Sequence, residues 1–213
     1  MSIEALIFDL DGVLVFTDKL HYQAWKQMAD QMGVYFDEEI NNRLRGVSRM
    51  ASLEIILENY QGPALSPEEK ERLAGEKNDT YRELLKTMTR ADVSDEVRET
   101  LGELKRRGYK ISLGSSSKNA KFILERVELL DMFDAISDGT NITRSKPDPE
   151  VFLKGAEFLG IDPEHCLVVE DAEAGVDAGL AGNMQVAAIG DAVNCGKAQY
   201  NLDTFQDLLS ICR

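Results

Sequence analysis

The sequence predicts an α/β protein: a doubly wound parallel sheet with a helical domain inserted after its first strand. Three observations lead there. Five short apolar runs, Ala5–Phe8, Lys110–Leu113, Ala135–Ser137, Cys166–Val169 and Gln185–Ile189, have the length of buried strands. Helical patterns separate the last four, and alternation of that kind builds a parallel sheet covered on both faces. Residues 17–93 contain no strand-like run.

The elements follow in order. After the first strand, Asp18 is placed to cap a helix carrying Leu20, Ala24, Met28 and Met32 at four-residue spacing, which ends at Gly33. Ser48 is placed to cap a second carrying Leu53, Ile56 and Leu57. Ser66-Pro67-Glu68-Glu69 is a capping box with proline at its first helical position, opening a long helix toward Met88. Glu96–Arg107 sets Val97, Leu101 and Leu104 on one face and stops at Gly108. Lys118–Val127 follows, with Ser117 as N-cap. Asp148-Pro149-Glu150 opens the next helix as cap, first-turn proline and early acid, and Gly160 closes it. Glu173–Ala181 is a short helix before the last strand. The expected core is Rossmann-like, residues 1–16 and 94–213, with strand order 5-4-1-2-3, under a four-helix cap of residues 17–93. Open parallel sheets bind ligands beyond their C-terminal strand ends. An insert leaving from that edge is placed to act as a lid.

Composition narrows the class. With 43% hydrophobic and 29% charged residues in 213, the chain is expected to fold as a soluble globular protein. A formal charge of −14 and a pI of about 4.6 oppose a nucleic-acid partner. Cys166, Cys195 and Cys212 form no CxxC pair, and with two histidines they make no convincing zinc site. Reduced thiols fit a cytoplasmic protein. Asp9 and Asp11 interrupt the N-terminal apolar stretch, which also lacks a basic segment, so no signal peptide is expected. No apolar run approaches a membrane span. A cytoplasmic monomer is expected, with a small-molecule substrate, no nucleic acid and no membrane.

Four polar clusters end apolar runs. Leu6-Ile7-Phe8-Asp9-Leu10-Asp11-Gly12 ends a strand in two carboxylates. Like charges held close and desolvated are costly, which calls for a hard cation such as Mg²⁺; Asp-x-Asp-Gly is also a common turn. Gly114-Ser115-Ser116-Ser117-Lys118-Asn119 offers hydroxyls and backbone N–H groups where a helix begins, a phosphate-binding arrangement or a serine-rich cap. Lys146, before Pro147, is held extended and presents a point charge to a phosphate, or is a surface lysine in a proline turn. Glu170-Asp171 places a second acid pair at the same sheet edge. Four carboxylates there would be badly destabilising without a cation, and oxygen ligands without a Cys/His cluster select Mg²⁺.

Acid pair, serine loop, Lys-Pro and Glu-Asp, in that order, resemble the four motifs of the haloacid dehalogenase superfamily across essentially the whole chain. The resemblance implies that Asp9 is a nucleophile that becomes phosphorylated and that Asp11 is the general acid/base. It implies that Glu170 and Asp171 hold Mg²⁺ together with Asp9 and the backbone or side chain of Asp11. Ser115 and Lys146 would bind the transferring phosphoryl oxygens. Leu44–Ser52, Asp18–Trp25, Lys77-Asn78-Asp79 with Tyr81, and Ser115-x-Ser117-Lys118-Asn119 are further similar to the superfamily's phosphoglucomutase branch. That likeness implies interconversion of β-glucose 1-phosphate and glucose 6-phosphate through an aspartyl-phosphate and a 1,6-bisphosphate. It implies substrate contacts from His21, Trp25, Gly46, Val47, Ser48, Arg49, Ser52, Lys77, Ser117 and Asn119, with Arg49, Ser117 and Asn119 on the distal phosphate. A capped phosphatase of small phosphomonoesters is the alternative within the superfamily. A non-catalytic receiver-like phospho-aspartate domain is the alternative outside it, disfavoured because it needs no lid. No G-x-G-x-x-G follows the first strand and no Walker-type loop is present. Phe16 and Val93-Ser94-Asp95-Glu96 depart from the branch's pattern at the two hinges.

Overall fold

The apolar run Ala5–Phe8 is β1, all four residues buried, and the rest of a six-stranded parallel sheet is laid out around it. In this computed structural model, residues 2–44 and 47–213 are described. The further strands are β2 (Lys110–Gly114), β3 (Ala135–Ser137), β4 (Cys166–Glu170), β5 (Gln185–Ile189) and β6 (Tyr200–Leu202), in the order β3-β2-β1-β4-β5-β6. The first five strands take the order the sequence leads to. The sixth is an addition: only Leu202 of its three residues is buried, so it carries no apolar run. Phe8 lies level with Leu113 and Val169, and the Asp9 amide donates to the Val169 carbonyl at 3.0 Å. Residues following β1, β2 and β4 therefore emerge side by side. The boundary between β1 and β4 is the point where the order of connection reverses, the usual position of a ligand crevice.

Four α-helices are described within residues 17–87, after β1: α1 (Asp18–Gln31), α2 (Glu38–Asn42), α3 (Arg49–Leu57) and α4 (Pro67–Leu85). Their core contains Trp25, Met28, Ala29, Phe36, Leu53, Ile56 and Leu73. Ala24, Trp25, Met28 and Ala29 form the buried stripe of α1; the expected Leu20 and Met32 are only half-buried. Thr17, not Asp18, takes the N-cap position of α1, and Asp18 is a first-turn acid. Ser48 caps α3 by accepting from Ala51 N, and Ser66 with Glu69 forms the expected capping box of α4. The five-residue α2 was not legible.

The remaining helices are α5 (Asp95–Arg106), α6 (Ala120–Arg126), α7 (Glu150–Leu159), α8 (Glu173–Ala181) and α9 (Leu208–Ile211). Ser94 caps α5 through Val97 N, one residue earlier than expected. Asn119, with no side-chain cap bond, replaces Ser117 as the N-cap of α6. Pro149 replaces Asp148 at α7, although Asp148 Oδ1 still accepts from Glu150 N at 3.0 Å. Gly155 brings α7 onto the sheet: a Cβ there would stand 3.0 Å from Ser112 Oγ and 3.3 Å from an Ile7 methyl.

The chain forms two compact units, Met1–Phe16 with Met88–Arg213, and Thr17–Thr87. The division falls after Thr87 rather than after Val93 because the returning segment is fastened to the sheet unit. Arg126 Nη2 donates to the Met88 carbonyl at 2.9 Å, and Arg98 Nη2 donates to the Arg90 carbonyl at 2.9 Å. Among the described residues no helix is long and apolar enough to cross a membrane.

Candidate active site

Three carboxylates converge at the C-terminal edge of the sheet. Asp9 follows β1, Glu170 ends β4 and Asp171 follows it, and one oxygen from each lies within 4.8 Å of the others. Asp9 and Glu170 are 8% and 1% exposed, and Asp171 is half-buried. Two glycines make the convergence sterically feasible. A Cβ on Gly12, whose φ is +87°, would stand 1.9 Å from Asp171 Oδ2; a Cβ on Gly175 would stand 1.9 Å from Glu170 Oε1. The Ala172 amide donates to Glu170 Oε2 at 2.9 Å and fixes that carboxylate. Residues 10–15 turn tightly behind Asp9, with Gly12 N donating to the Val15 carbonyl at 2.7 Å. Asp11 lies outside the carboxylate cluster, and its charge adds to the field on Asp171.

Lys146 is the cation of this site. Its Nζ donates to Asp9 Oδ1 and to Glu170 Oε1, each at 2.5 Å, and lies 4.7 Å above the Phe152 ring. The Lys146–Pro147 peptide is cis. Burial disfavours the charged ammonium, but Asp9 and Glu170 outweigh it and the Lys146 pKa is raised. Burial, joined by the like charge of Asp9, raises Glu170 against the pull of Lys146. Asp171 is pushed up to about 8, by burial first and then by Asp9 and Glu170. One lysine does not neutralise this set of acids. An all-oxygen cluster with residual negative charge fits a hard dication such as Mg²⁺.

Ser115, 2% exposed, follows β2, the strand that pairs with β1. Its hydroxyl accepts from Ser117 N at 3.1 Å, and the Ser117 hydroxyl accepts from Asn119 N at 3.2 Å, so two successive serine turns lead into α6. Ser115 N donates to the Ser137 carbonyl, and Gly139 N to the Ser117 carbonyl at 3.2 Å. The Ser116 hydroxyl is buried without a hydrogen-bond partner among the described residues.

A second cluster forms within the helical unit. Lys77, buried on α4, places Nζ 3.0 Å from His21 Nδ1 and 4.4 Å from the centre of the Trp25 ring. His21 stacks on Tyr81 with centroids 3.9 Å apart. Burial, then the charges of Lys77 and Arg49, hold the His21 imidazole well below its ordinary pKa. Arg49, first residue of α3, donates from Nη2 to Asn78 Oδ1 at 2.8 Å, and burial lowers its pKa against the pull of Asp79. The structure thus brings His21, Trp25, Arg49 and Lys77 together. Val47 is exposed, Ser48 is committed to capping α3 and Ser52 is buried; Gly46 lies outside the described residues. Gly12, Gly175 and Phe152 were missed as site residues, and Tyr81, part of the branch likeness, was given no contact of its own. Tyr81 had a readable signal, standing four residues from Lys77 as Trp25 stands four from His21.

Acids at the ends of neighbouring parallel strands, a buried lysine spanning them and a hydroxyl loop beside them define an α/β enzyme with a carboxylate–lysine centre. The family model for haloacid dehalogenase-like hydrolases matches residues 3–183, and the chain belongs to that family. It is 40% identical over 188 residues to a β-phosphoglucomutase of Bacillus subtilis, covering 88% of this chain and 83% of the relative. It is 34% identical over 199 residues to a phosphorylated carbohydrates phosphatase of Thermotoga maritima, covering 92% and 89%. A crystal structure of β-phosphoglucomutase from Clostridium difficile matches with a TM-score of 0.89 at 40% identity, covering 97% of this chain and 93% of that one.

Proposed function

We propose that the protein is a Mg²⁺-dependent phosphotransferase that interconverts β-glucose 1-phosphate and glucose 6-phosphate. The observation that carries this reading is the Asp9 carboxylate, held at the end of β1 by Lys146 with Glu170 and Asp171 within 4.8 Å. Asp9, Glu170 and Asp171, with the Leu10–Asp11 backbone, are the residues to hold the metal. When bound, Mg²⁺ supplies charge neutralisation to the transferring oxygens.

The chain's own groups divide the remaining work. Phosphorylated Asp9 gives its phosphoryl group to the sugar 6-hydroxyl: the O6–P bond forms, the Asp9–P bond breaks, and the hydroxyl proton passes to Asp11. The 1,6-bisphosphate turns over. Asp9 then attacks the phosphorus at position 1, the O1–P bond breaks, and Asp11 returns its proton to O1. Lys146 and Ser115 hold the equatorial oxygens, where a loose transition state spreads its charge. A mutase must also grip the phosphate that is not transferring. Arg49 supports this role, as a cation at a helix N-terminus, a position that favours a bound anion. Ser117 and Asn119 are the further candidates for it, and His21, Trp25, Lys77 and the Val47–Ser52 segment for the sugar.

Hydrolysis is the second reading, favoured by the relative named a phosphatase at 34% identity. Incubation with β-glucose 1-phosphate, a trace of the 1,6-bisphosphate and Mg²⁺ separates the two. Glucose 6-phosphate, followed by coupled dehydrogenase, is the expected product, and Asp9→Asn abolishes it. Glucose and inorganic phosphate without glucose 6-phosphate would reject the mutase and leave the phosphatase.

A further inference from the structure

We infer that Glu150 is a positioning residue whose carboxylate closes the loop carrying Lys146 and so fixes where the ammonium group meets Asp9. Lys146 spans acids on two strands, yet it hangs from neither. It belongs to residues 138–149, which link β3 to α7 without helix or strand. A flexible loop of that length would not hold one ammonium group within hydrogen-bond distance of two buried carboxylates unless its ends were tied.

Glu150, the first residue of α7, ties them. Its carboxylate accepts from the Thr143 amide at 3.1 Å, from the Thr143 hydroxyl at 3.0 Å and from the Arg144 amide at 2.8 Å. The other foot of the arch is closed locally. Glu150 N donates to Asp148 Oδ1 at 3.0 Å, and Asp148 N donates to the Ser145 carbonyl at 3.1 Å. The Arg144 guanidinium covers the base, 3.0 Å from Asp148 Oδ2 and 3.6 Å from Glu150 Oε2. Residues 144–149 therefore rise and return to one carboxylate, with Lys146 on the arch. Two residues further on, Phe152 sets its ring under the Lys146 ammonium. A single helical turn supplies both the clamp for the loop and the apolar floor for the charge. An acid in a first turn also suits the helix dipole, but a dipole role needs no contact with Thr143 or Arg144 and no link to Lys146.

The kinetic consequence rests on the phosphotransfer reading; the structural one does not. The test combines Glu150→Ala, Glu150→Gln, Lys146→Ala and the Glu150→Ala/Lys146→Ala double variant. With β-glucose 1-phosphate, Glu150→Ala is expected to lower kcat about tenfold while KM stays within about twofold, because the loosened group acts on the transferring phosphoryl. Glu150→Gln, retaining one acceptor oxygen, falls between. The double variant is expected to be no slower than Lys146→Ala alone, since a residue acting through Lys146 has nothing left to position. Independently of turnover, the Lys146 ¹⁵Nζ resonance, assigned by its loss in Lys146→Ala, is expected to exchange slowly in the unsubstituted protein and to broaden in Glu150→Ala. An inactive parent protein would sink the phosphotransfer reading and leave the clamp to be judged on that resonance. Multiplying rate losses in the double variant, or an unchanged Lys146 signal, would overturn the clamp. Should Glu150→Ala fail to melt cooperatively, Glu150→Gln gives the same two readouts.

Discussion

Asp171 is held under electrostatic strain, and its proton is its most testable property. Its pKa stands at about 8 against the ordinary 3.8, raised by burial, Asp9 and Glu170. Between these values the folded metal-free protein keeps a proton that the unfolded chain has released. Stability therefore falls as pH rises through that window, and the loss is complete above about 8. Asp171→Asn removes the titration. The melting temperature of the metal-free parent is expected to drop relative to Asp171→Asn by about 5 °C or more between pH 5 and pH 8.5. Mg²⁺ is expected to reverse the gap, raising the parent and leaving Asp171→Asn unmoved. A gap that stays constant with pH would contradict this account. The acids were legible because a charge at the end of an apolar run is costly unless something compensates it, and Lys146 because it precedes Pro147 and falls third in the order of the four motifs. Gly12 was not, because a glycine beside an acid reads as a turn, and Gly175 was not, because it sits inside the short helix Glu173–Ala181. The carboxylates that deny them a Cβ come from other positions in the chain.

Elements with an explicit start signal were read almost to the residue. The capping box Ser66–Glu69 gave α4, and the apolar runs gave β1, β3 and β5 with their observed ends. Elements too short to show a period, α2 and β6, were invisible. Ser117 misled because serines ahead of a helix serve turns as readily as caps, and here Ser115 and Ser117 each bond an amide two residues on. The end of the insert misled for another reason: residues 88–93 have no periodicity, and long-range bonds from arginine decide where they belong. Arg98 donates to the carbonyls of Arg90, Val127 and Glu128 at 2.9, 2.5 and 3.2 Å. Arg98→Met keeps the apolar stem and removes all three bonds. It is expected to cost about 1–3 kcal/mol in a urea melt and to open residues 88–93 to limited proteolysis. An unchanged midpoint and digestion pattern would show that the segment is held some other way.

Across the whole molecule, negative charge predominates. The chain carries 38 acids against 24 lysines and arginines. Against that background the helical unit gathers Lys77 and Arg49 around a neutral-leaning His21. A phosphomonoesterase needs cations only where the phosphoryl group leaves, a role Lys146 can fill. A mutase needs a second grip on the group that stays, alternately the 1- and the 6-phosphate, and Arg49 is the candidate. Its guanidinium is partly desolvated and is oriented by Asn78 at 2.8 Å, on the helix end where the dipole repels a cation and attracts an anion. Arg49→Ala should therefore split two activities of the same Asp9. Turnover of β-glucose 1-phosphate to glucose 6-phosphate is expected to fall at least about tenfold in kcat/KM, the loss of one charge-assisted contact. Phosphorylation of Asp9 by acetyl phosphate, a donor with no second phosphate, is expected to change less than about twofold. Equal losses in both assays would mean that Arg49 supports the fold and not the distal phosphate. The cationic cluster would then be a packing feature of the helical unit, and the balance of evidence would move to the phosphatase.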